Sequence, residues 1–285
     1  MNPAFVFGTV VNGIELGLIY ALIALGFSLI YGTARIVFAT HGEVYMAGAM
    51  LMYYLHAVRH VPFVVALIGI SLAAGILGLV VDRVLFRRLY GRDLEMFMVS
   101  LGLIMVISSI FLIIFGGTPK GVPSPVPGSL EIAGFTFAYD KAVVAAASVV
   151  IILALTIFFR YSKIGQSVRA YAQDSLAAEL QGISIDRTVP LTFFVSLALA
   201  GAAGGLIAPL YFAQVFMGGP ALNNIFMVVI LGGIGSLPGA IVGGIFVGVL
   251  QTAGRLLVGD ANYLVTFIVI ILFLLVKPRG FFGHD

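Results

Sequence analysis

The sequence has no cysteine and no tryptophan, and only 9% of its 285 residues are charged. The lack of cysteine excludes disulfide bonds, thiol catalysis and cysteine-ligated metal. Soluble domains carry about 25% charged residues, so this chain cannot cover a soluble surface of its size. Disorder is excluded too, because 61% of the residues are hydrophobic, and a net charge of +3 does not indicate nucleic-acid binding. The class of protein that this composition leaves is a polytopic membrane protein.

Long stretches without charge mark the expected membrane segments, since about 20 residues cross the hydrocarbon core as a helix. These stretches are 16–34, 61–81, 96–119, 142–159 and 188–254, with shorter ones at 44–58 and 261–276. Glycine and proline divide the longest into 189–213, a short piece near 222–235, and 238–257. We therefore predict an all-α membrane protein with one domain over residues 1–285. It has eight or nine membrane segments, including a short interrupted or re-entrant one near 222–238.

Basic residues predict the orientation of the chain by the positive-inside rule. They cluster in two loops and after the last apolar run, at Arg83, Arg87, Arg88, Arg92, Arg160, Lys163, Arg169, Arg187, Lys277 and Arg279. We expect these to lie in the cytoplasm with the C-terminus, and the N-terminus and the Gly/Pro-rich connection at 116–140 to lie outside. The first apolar run has no basic region before it, so we expect a retained spanning helix.

A cluster of glycine, serine and proline at 232–239 should interrupt the helix near 222–238. Irregular backbone at membrane depth is tolerated only inside protein or beside a wet cavity. Gly233, Gly235, Ser236 and Pro238 are therefore candidates for a translocation path. The alternative is that these small residues only allow helices to pack closely.

Four further polar residues are candidates for the same path: His41, Glu43, Asn223 and Asn224. His41 and Glu43 either cap or pack a helix entry or act in a gate, and metal binding is not expected without a third ligand. Asn223 and Asn224 should cap the short helix at its N-terminal side, where the helix dipole could favour a carboxylate substrate. Glu15 either reaches interfacial water or contacts a substrate amine.

The loop at 160–188 predicts a short amphipathic helix over about 166–182, because Ala, Leu, Gln and Glu dominate and Gly182 suits a C-terminal stop. Val168, Tyr171 and Ala178 fall at helical spacing, as in a helix that docks in a partner's groove. The alternative is a solvated linker. The segment Ala177-Ala178-x-x-x-Gly182 resembles the coupling loop of ABC importer permeases, with Leu176 in place of the usual glutamate.

Further motifs resemble the permeases of branched-chain amino-acid ABC importers, and the chain length favours the shorter, LivH-like type. They run in order along the chain: Ala21-Leu-Ile-Ala-Leu-Gly26, Ile30-Tyr31-Gly32, His41-Gly42-Glu43, Arg160-Tyr161-Ser162, Leu191-Thr192-Phe193, Leu231-Gly232-Gly233-Ile234-Gly235-Ser236 and Lys277-Pro278-x-Gly280.

The resemblance implies a transport subunit of the bacterial inner membrane that works by alternating access. Its expected partners are a second, LivM-like permease, two ATPase subunits and a periplasmic binding protein. The coupling residues would be Arg169, Asp174, Ala177, Ala178 and Gly182. The chain has no Gly-x4-Gly-Lys-Ser/Thr motif, so we expect no cofactor here and ATP with Mg on the partners. The alternatives are urea, amide or aromatic-acid substrates, or an ion-coupled secondary transporter.

Overall fold

The computed structural model describes residues 3–132, 135–278 and 280–282, and Arg279 lies outside this set. Most of the described chain is helical. The α-helices are α1 (Pro3–Ala34), α2 (His41–Met52), α3 (Phe63–Val81), α4 (Asp93–Phe115), α5 (Tyr139–Tyr161), α6 (Lys163–Gln173), α7 (Ser175–Leu180), α8 (Ile185–Ile207), α9 (Gly218–Gly232), α10 (Leu237–Val258) and α11 (Asn262–Val276). A hairpin of β1 (Ser129–Ile132) and β2 (Phe135–Ala138) joins α4 to α5, with Glu131 opposite Thr136.

Six of the described helices are long and apolar enough to cross a membrane: α1, α3, α4, α5, α8 and α10. Two more, α9 and α11, are apolar but shorter. Between α1 and α3, α2 continues as a π-helical segment through Val58. The prediction of an all-α membrane protein is confirmed, and the predicted count of eight or nine membrane segments is not.

The core is built around α1. Residues 18–25 of this helix are buried on every side, because α8, α9 and α10 pack around it together with the outer helix α5. A helix that is apolar all round belongs in such an interior position. At the periphery, α4 and α11 expose apolar side chains such as Ile113 (84%) and Val276 (86%). These faces suit lipid or a partner subunit.

Glycine allows the central helices to approach within backbone contact. A Cβ atom at Gly204 of α8 would collide with the carbonyl oxygen of Tyr45 in α2. On the other side of the core, a Cβ atom at Gly248 of α10 would collide with the Gly13 carbonyl oxygen in α1. The glycine-rich runs therefore pack helices together, as small residues do in membrane proteins.

Candidate functional site

Two cavities lie against opposite halves of α1. The first, here called the Glu15 cavity, has a volume of about 640 Å³ and is lined by α1 residues from Asn12 to Ile23. The second, the Gly235 cavity, has a volume of about 600 Å³ and is lined by α1 residues from Ser28 to Thr33 and by Arg35, just after the helix. Both fall in the size range of small-molecule sites, roughly 300–1,000 Å³.

The Glu15 cavity combines charged groups with an apolar wall. Glu15, Lys141 and Arg255 line it together with Ile19, Ile23, Ile207 and Leu210. The Lys141 ammonium donates a hydrogen bond to Asn12 Oδ1 at 2.7 Å. Burial raises the pKa of the Tyr211 phenol, the Glu15 carboxylate raises it further, and Arg255 lowers it. Tyr211 therefore lies within electrostatic reach of both charges.

Three uncharged side chains in the wall of the Glu15 cavity form a closed ring of hydrogen bonds. Tyr20 Oη donates to Gln251 Oε1 at 2.9 Å, Gln251 Nε2 donates to Asn224 Oδ1 at 2.8 Å, and Asn224 Nδ2 donates to Tyr20 Oη at 3.0 Å. All three residues are buried. The ring joins α1, α9 and α10 and satisfies polar groups that would be costly alone in an apolar interior.

A packed layer separates the two cavities. Between Ile23 and Ser28, α1 rises about 7.5 Å without lining either cavity. His41 is fully buried there and meets Phe27 edge to face, and Phe27 meets Phe226 in the same way. The Ser196 hydroxyl donates to the Gly26 carbonyl from the α8 side. Packed side chains of the described chain therefore lie between the two cavities in this conformation.

The Gly235 cavity contains the interrupted backbone between α9 and α10. Gly233 (φ 100°) and Gly235 (φ 80°) adopt left-handed conformations that favour glycine. Ser236 then caps α10 by accepting a hydrogen bond from the Gly239 amide at 3.1 Å, and Pro238 sits in the first turn. Gly235, Ser236 and Pro238 line the cavity, whereas Gly233 is buried beside it.

The segment after α11 closes the open end of α9. The backbone amides of Phe281 and Phe282 donate to the carbonyl oxygens of Leu231 and Gly232 at 2.8 and 3.0 Å. The last carbonyls of a helix have no partner within it, so this contact completes α9. It also fixes the start of the interruption.

The expected single helix over 166–182 is two helices, α6 and α7. Asp174 leaves the helical conformation at φ −150°, and its side chain accepts a hydrogen bond from the Ala177 amide at 2.9 Å. An aspartate in that conformation caps a new helix rather than continuing the old one. The Tyr171 hydroxyl donates to Glu179 Oε1 at 3.3 Å and so joins the two helices. Burial raises the pKa of the Tyr171 phenol, and the nearby Glu179 carboxylate raises it further. Gly182 ends α7 at φ 82°.

The helices α6 and α7 have distinct inner and outer faces. Val168 and Tyr171 are buried against the rest of the chain, and so is Ala178, which is 4% exposed. Ala178 is thus a packing residue within this subunit. Leu176 and Leu180, one turn apart on α7, are 70% and 80% exposed. This leucine pair, together with the exposed Ala177, is the apolar surface of α7 that the described chain leaves uncovered.

The inner face of α6 lines the Gly235 cavity. Val168, Arg169, Ala172 and Gln173 form part of its wall, opposite the interrupted backbone. The two basic loops lie at one end of the molecule, because Arg87 donates to Asp186 at 2.8 Å in an exposed ion pair between them.

The remaining candidate residues, Glu43, Asn223 and Asn224, pack or bond within the fold or lie outside both cavities. Glu43 Oε2 accepts a hydrogen bond from Ser108 at 2.8 Å, which ties α2 to α4, and its carboxylate lies against Gly218. The prediction that Asn223 and Asn224 cap the short helix is wrong, because α9 begins at Gly218 and places them in its second turn. Asn223 is exposed and lines neither cavity.

Sequence reasoning missed Tyr20, Gln251 and Arg255. Gln251 is a hydrogen-bonding side chain inside an otherwise apolar run, and that isolation is the signal that could have identified it. Tyr20 carried no such signal, since a tyrosine in an apolar run can serve as one more apolar side chain. Its role depends on a contact with a residue 231 positions away.

The comparisons with known proteins agree on one family. The family model described as "Branched-chain amino acid transport system / permease component" matches residues 9–276. The high-affinity branched-chain amino acid transport system permease protein LivH of Salmonella typhimurium is 32% identical over 96% of this chain and 94% of its own length. The corresponding LivH of Escherichia coli strain K12 gives the same values. BraD of Pseudomonas aeruginosa is 30% identical over 96% of this chain and 94% of its own. No solved structure matches the chain.

The chain belongs to the branched-chain amino acid transport permease family, since the family model covers residues 9–276. The predicted resemblance to the LivH-like type is confirmed. The chain is a membrane transport subunit, and the comparisons do not favour an ion-coupled secondary transporter.

Proposed function

We propose that this chain is the LivH-like permease of an ABC importer that carries branched-chain or other hydrophobic amino acids across the bacterial inner membrane. A second permease, two ATPase subunits holding ATP and Mg, and a periplasmic binding protein complete the importer. The curated relatives are named as branched-chain amino acid permeases, which supports the substrate class. The apolar wall of the Glu15 cavity suits such side chains.

One observation carries the proposal for the mechanism: α6 and the interrupted backbone line the same Gly235 cavity. Movement of α6 by an ATPase would act directly on Gly235, Ser236 and the cytoplasmic half of α1. Because positive-φ glycines absorb backbone rotation at low steric cost, this interruption is the place where the cavity can open and close.

The orientation follows from the basic loops. The Gly235 cavity is lined by α6, which lies in one of the two basic loops, and this supports a cytoplasmic position for the Gly235 cavity and a periplasmic one for the Glu15 cavity. The N-terminus is then periplasmic and the C-terminus cytoplasmic. In this proposal the shorter apolar helices α9 and α11, and α2 with its π-helical extension, also lie within the membrane, which would give nine segments among the described residues.

The function is tested by uptake of radiolabelled leucine into cells that lack their own branched-chain importer and express this chain with its partners. We expect uptake that requires an active ATPase subunit, so a Walker-lysine variant of that subunit should abolish it. Leucine uptake that persists with the inactive ATPase and collapses with a protonophore would instead establish a secondary transporter.

A further inference from the structure

Glu15 is a buried carboxylate that the fold itself does not use. Its side chain is only 6% exposed, and Oε1 has no hydrogen-bond partner among the described residues. A buried carboxylate oxygen without a hydrogen-bond partner is expensive, because it has lost its hydration and no donor replaces it. Leucine or alanine could fill this position of α1 without that cost. Packing alone therefore does not account for a glutamate here.

The carboxylate faces a cavity that a ligand can enter. Glu15 lines the Glu15 cavity one helical turn from Asn12, whose amide oxygen is already bound by Lys141. The Lys141 ammonium acts on Glu15 electrostatically but makes no ion pair with it within the described chain. No described residue supplies a hydrogen-bond donor for Oε1, so a bound ligand can supply one.

A cation lines the same cavity from α10. Arg255 forms no ion pair with any side chain that the structure describes, and it lines the cavity together with Glu15 and Tyr211. A guanidinium binds a carboxylate through two parallel hydrogen bonds. The cavity therefore presents a buried carboxylate and an exposed guanidinium, neither in an ion pair with a described side chain, with Ile19, Ile23 and Ile207 beside them.

We propose that Glu15 binds the α-ammonium group and Arg255 the α-carboxylate of a zwitterionic amino acid, whose apolar side chain packs on Ile19, Ile23 and Ile207. The inference rests on the proposed function and specifies its substrate site. A neutral amide or urea could donate to Glu15 but would bring no opposite charge to either group, and an aromatic acid without an amine would leave Glu15 without a donor. The site is thus built for a zwitterion.

The test uses the permease–ATPase complex in lipid nanodiscs, without the binding protein, and three probes. Leucine carries both charged groups, 4-methylpentanoate lacks the ammonium, and 3-methylbutylamine lacks the carboxylate. Glu15→Gln should weaken binding of leucine and 3-methylbutylamine about 10- to 100-fold and change that of 4-methylpentanoate less than about twofold. Arg255→Gln should weaken leucine and 4-methylpentanoate and leave 3-methylbutylamine unchanged.

Glu131→Gln is the matched control, because Glu131 lies exposed on the β-hairpin and away from the cavity. If Glu15→Gln weakens binding of all three probes equally, or of none, the proposed substrate site is wrong. ATP-driven leucine uptake by the wild type would still support the proposed function in that case. A wild-type complex that neither binds leucine nor takes it up would overturn both.

Discussion

The imidazole Nε2 of His41 lies 3.0 Å from the carbonyl oxygen of Ile23, the last α1 residue that lines the Glu15 cavity. One turn further, a Cβ atom at Gly26 would lie 3.0 Å from the same nitrogen. His41 thus fills the layer that separates the two cavities, although it touches neither. Alternating access requires such a layer to form and to open, which makes it the first place to test.

Replacement of His41 by alanine should make this barrier leak. Loss of a fully buried ring leaves a void between Phe27 and Phe38, and large-to-small core substitutions lower the free energy of unfolding by about 2–5 kcal/mol. We expect faster ATP-independent efflux of leucine from preloaded proteoliposomes. His56→Ala is the control, because His56 also contacts a backbone carbonyl, at 2.8 Å, but lies away from both cavities. Equal efflux from both variants would remove His41 from the barrier.

A leucine at Gly235 should abolish transport by filling the Gly235 cavity. Gly235 and Gly116 both have positive φ values, 80° and 73°, so a side chain is strained at either position. Only Gly235 lines the cavity. We therefore expect Gly235→Leu to lose leucine uptake at normal membrane levels and Gly116→Leu to retain it. Similar uptake by the two variants would show that the interruption only packs helices.

Glutamate at Leu176 and Leu180 should release the ATPase subunits. This exposed leucine pair is the apolar face of α7, and an unpaired charge in an apolar cleft costs several kcal/mol. Co-purification of the ATPase from detergent should fall about tenfold or more while the permease still inserts. Gln166→Glu, on the exposed side of α6, should retain it. Ala178→Arg is a poor probe, because Ala178 is buried in its own subunit. Intact complexes with both leucines replaced would contradict docking through α7.

Single cysteines should establish the orientation, since the chain has none of its own. We expect Arg169→Cys to react with a membrane-impermeant maleimide only after the cells are opened, and Ser124→Cys to react in intact spheroplasts. Arg169 is exposed beside the Gly235 cavity, and Ser124 lies in the connection that leads to the β-hairpin. The reverse pattern would exchange the proposed sides of the two cavities.

The sequence predicts the class of fold and the breaks in it because these depend on local chemistry. Charge-free runs mark the long helices, and the glycines at 233 and 235 end α9 where positive φ values are needed. The same reasoning fails at Asp174, where a side-chain cap divides an otherwise continuous helical pattern. A cap and a solvated helical aspartate look alike in sequence.

The arrangement of the candidate site depends on contacts that no local pattern contains. Asn224 looks like a helix cap in sequence, yet in the fold it binds Tyr20 and Gln251 on two other helices. Ala178 looks like a docking residue, yet its own subunit covers it. In each case the residue type is informative, and tertiary packing decides which partner it meets.

The hydrogen-bonded ring of Tyr20, Asn224 and Gln251 gives the last prediction. Tyr20→Phe removes one donor and leaves Gln251 Oε1 and Asn224 Nδ2 without this partner. The free energy of unfolding of the purified complex should therefore fall by about 1–2 kcal/mol. Because the bonds form one closed unit, Tyr20→Phe combined with Gln251→Leu should cost clearly less than the sum of the single changes. Tyr263→Phe is the matched control, since Tyr263 lines the same cavity outside the ring. Additive losses, or an equal loss in the control, would show that the three side chains act independently.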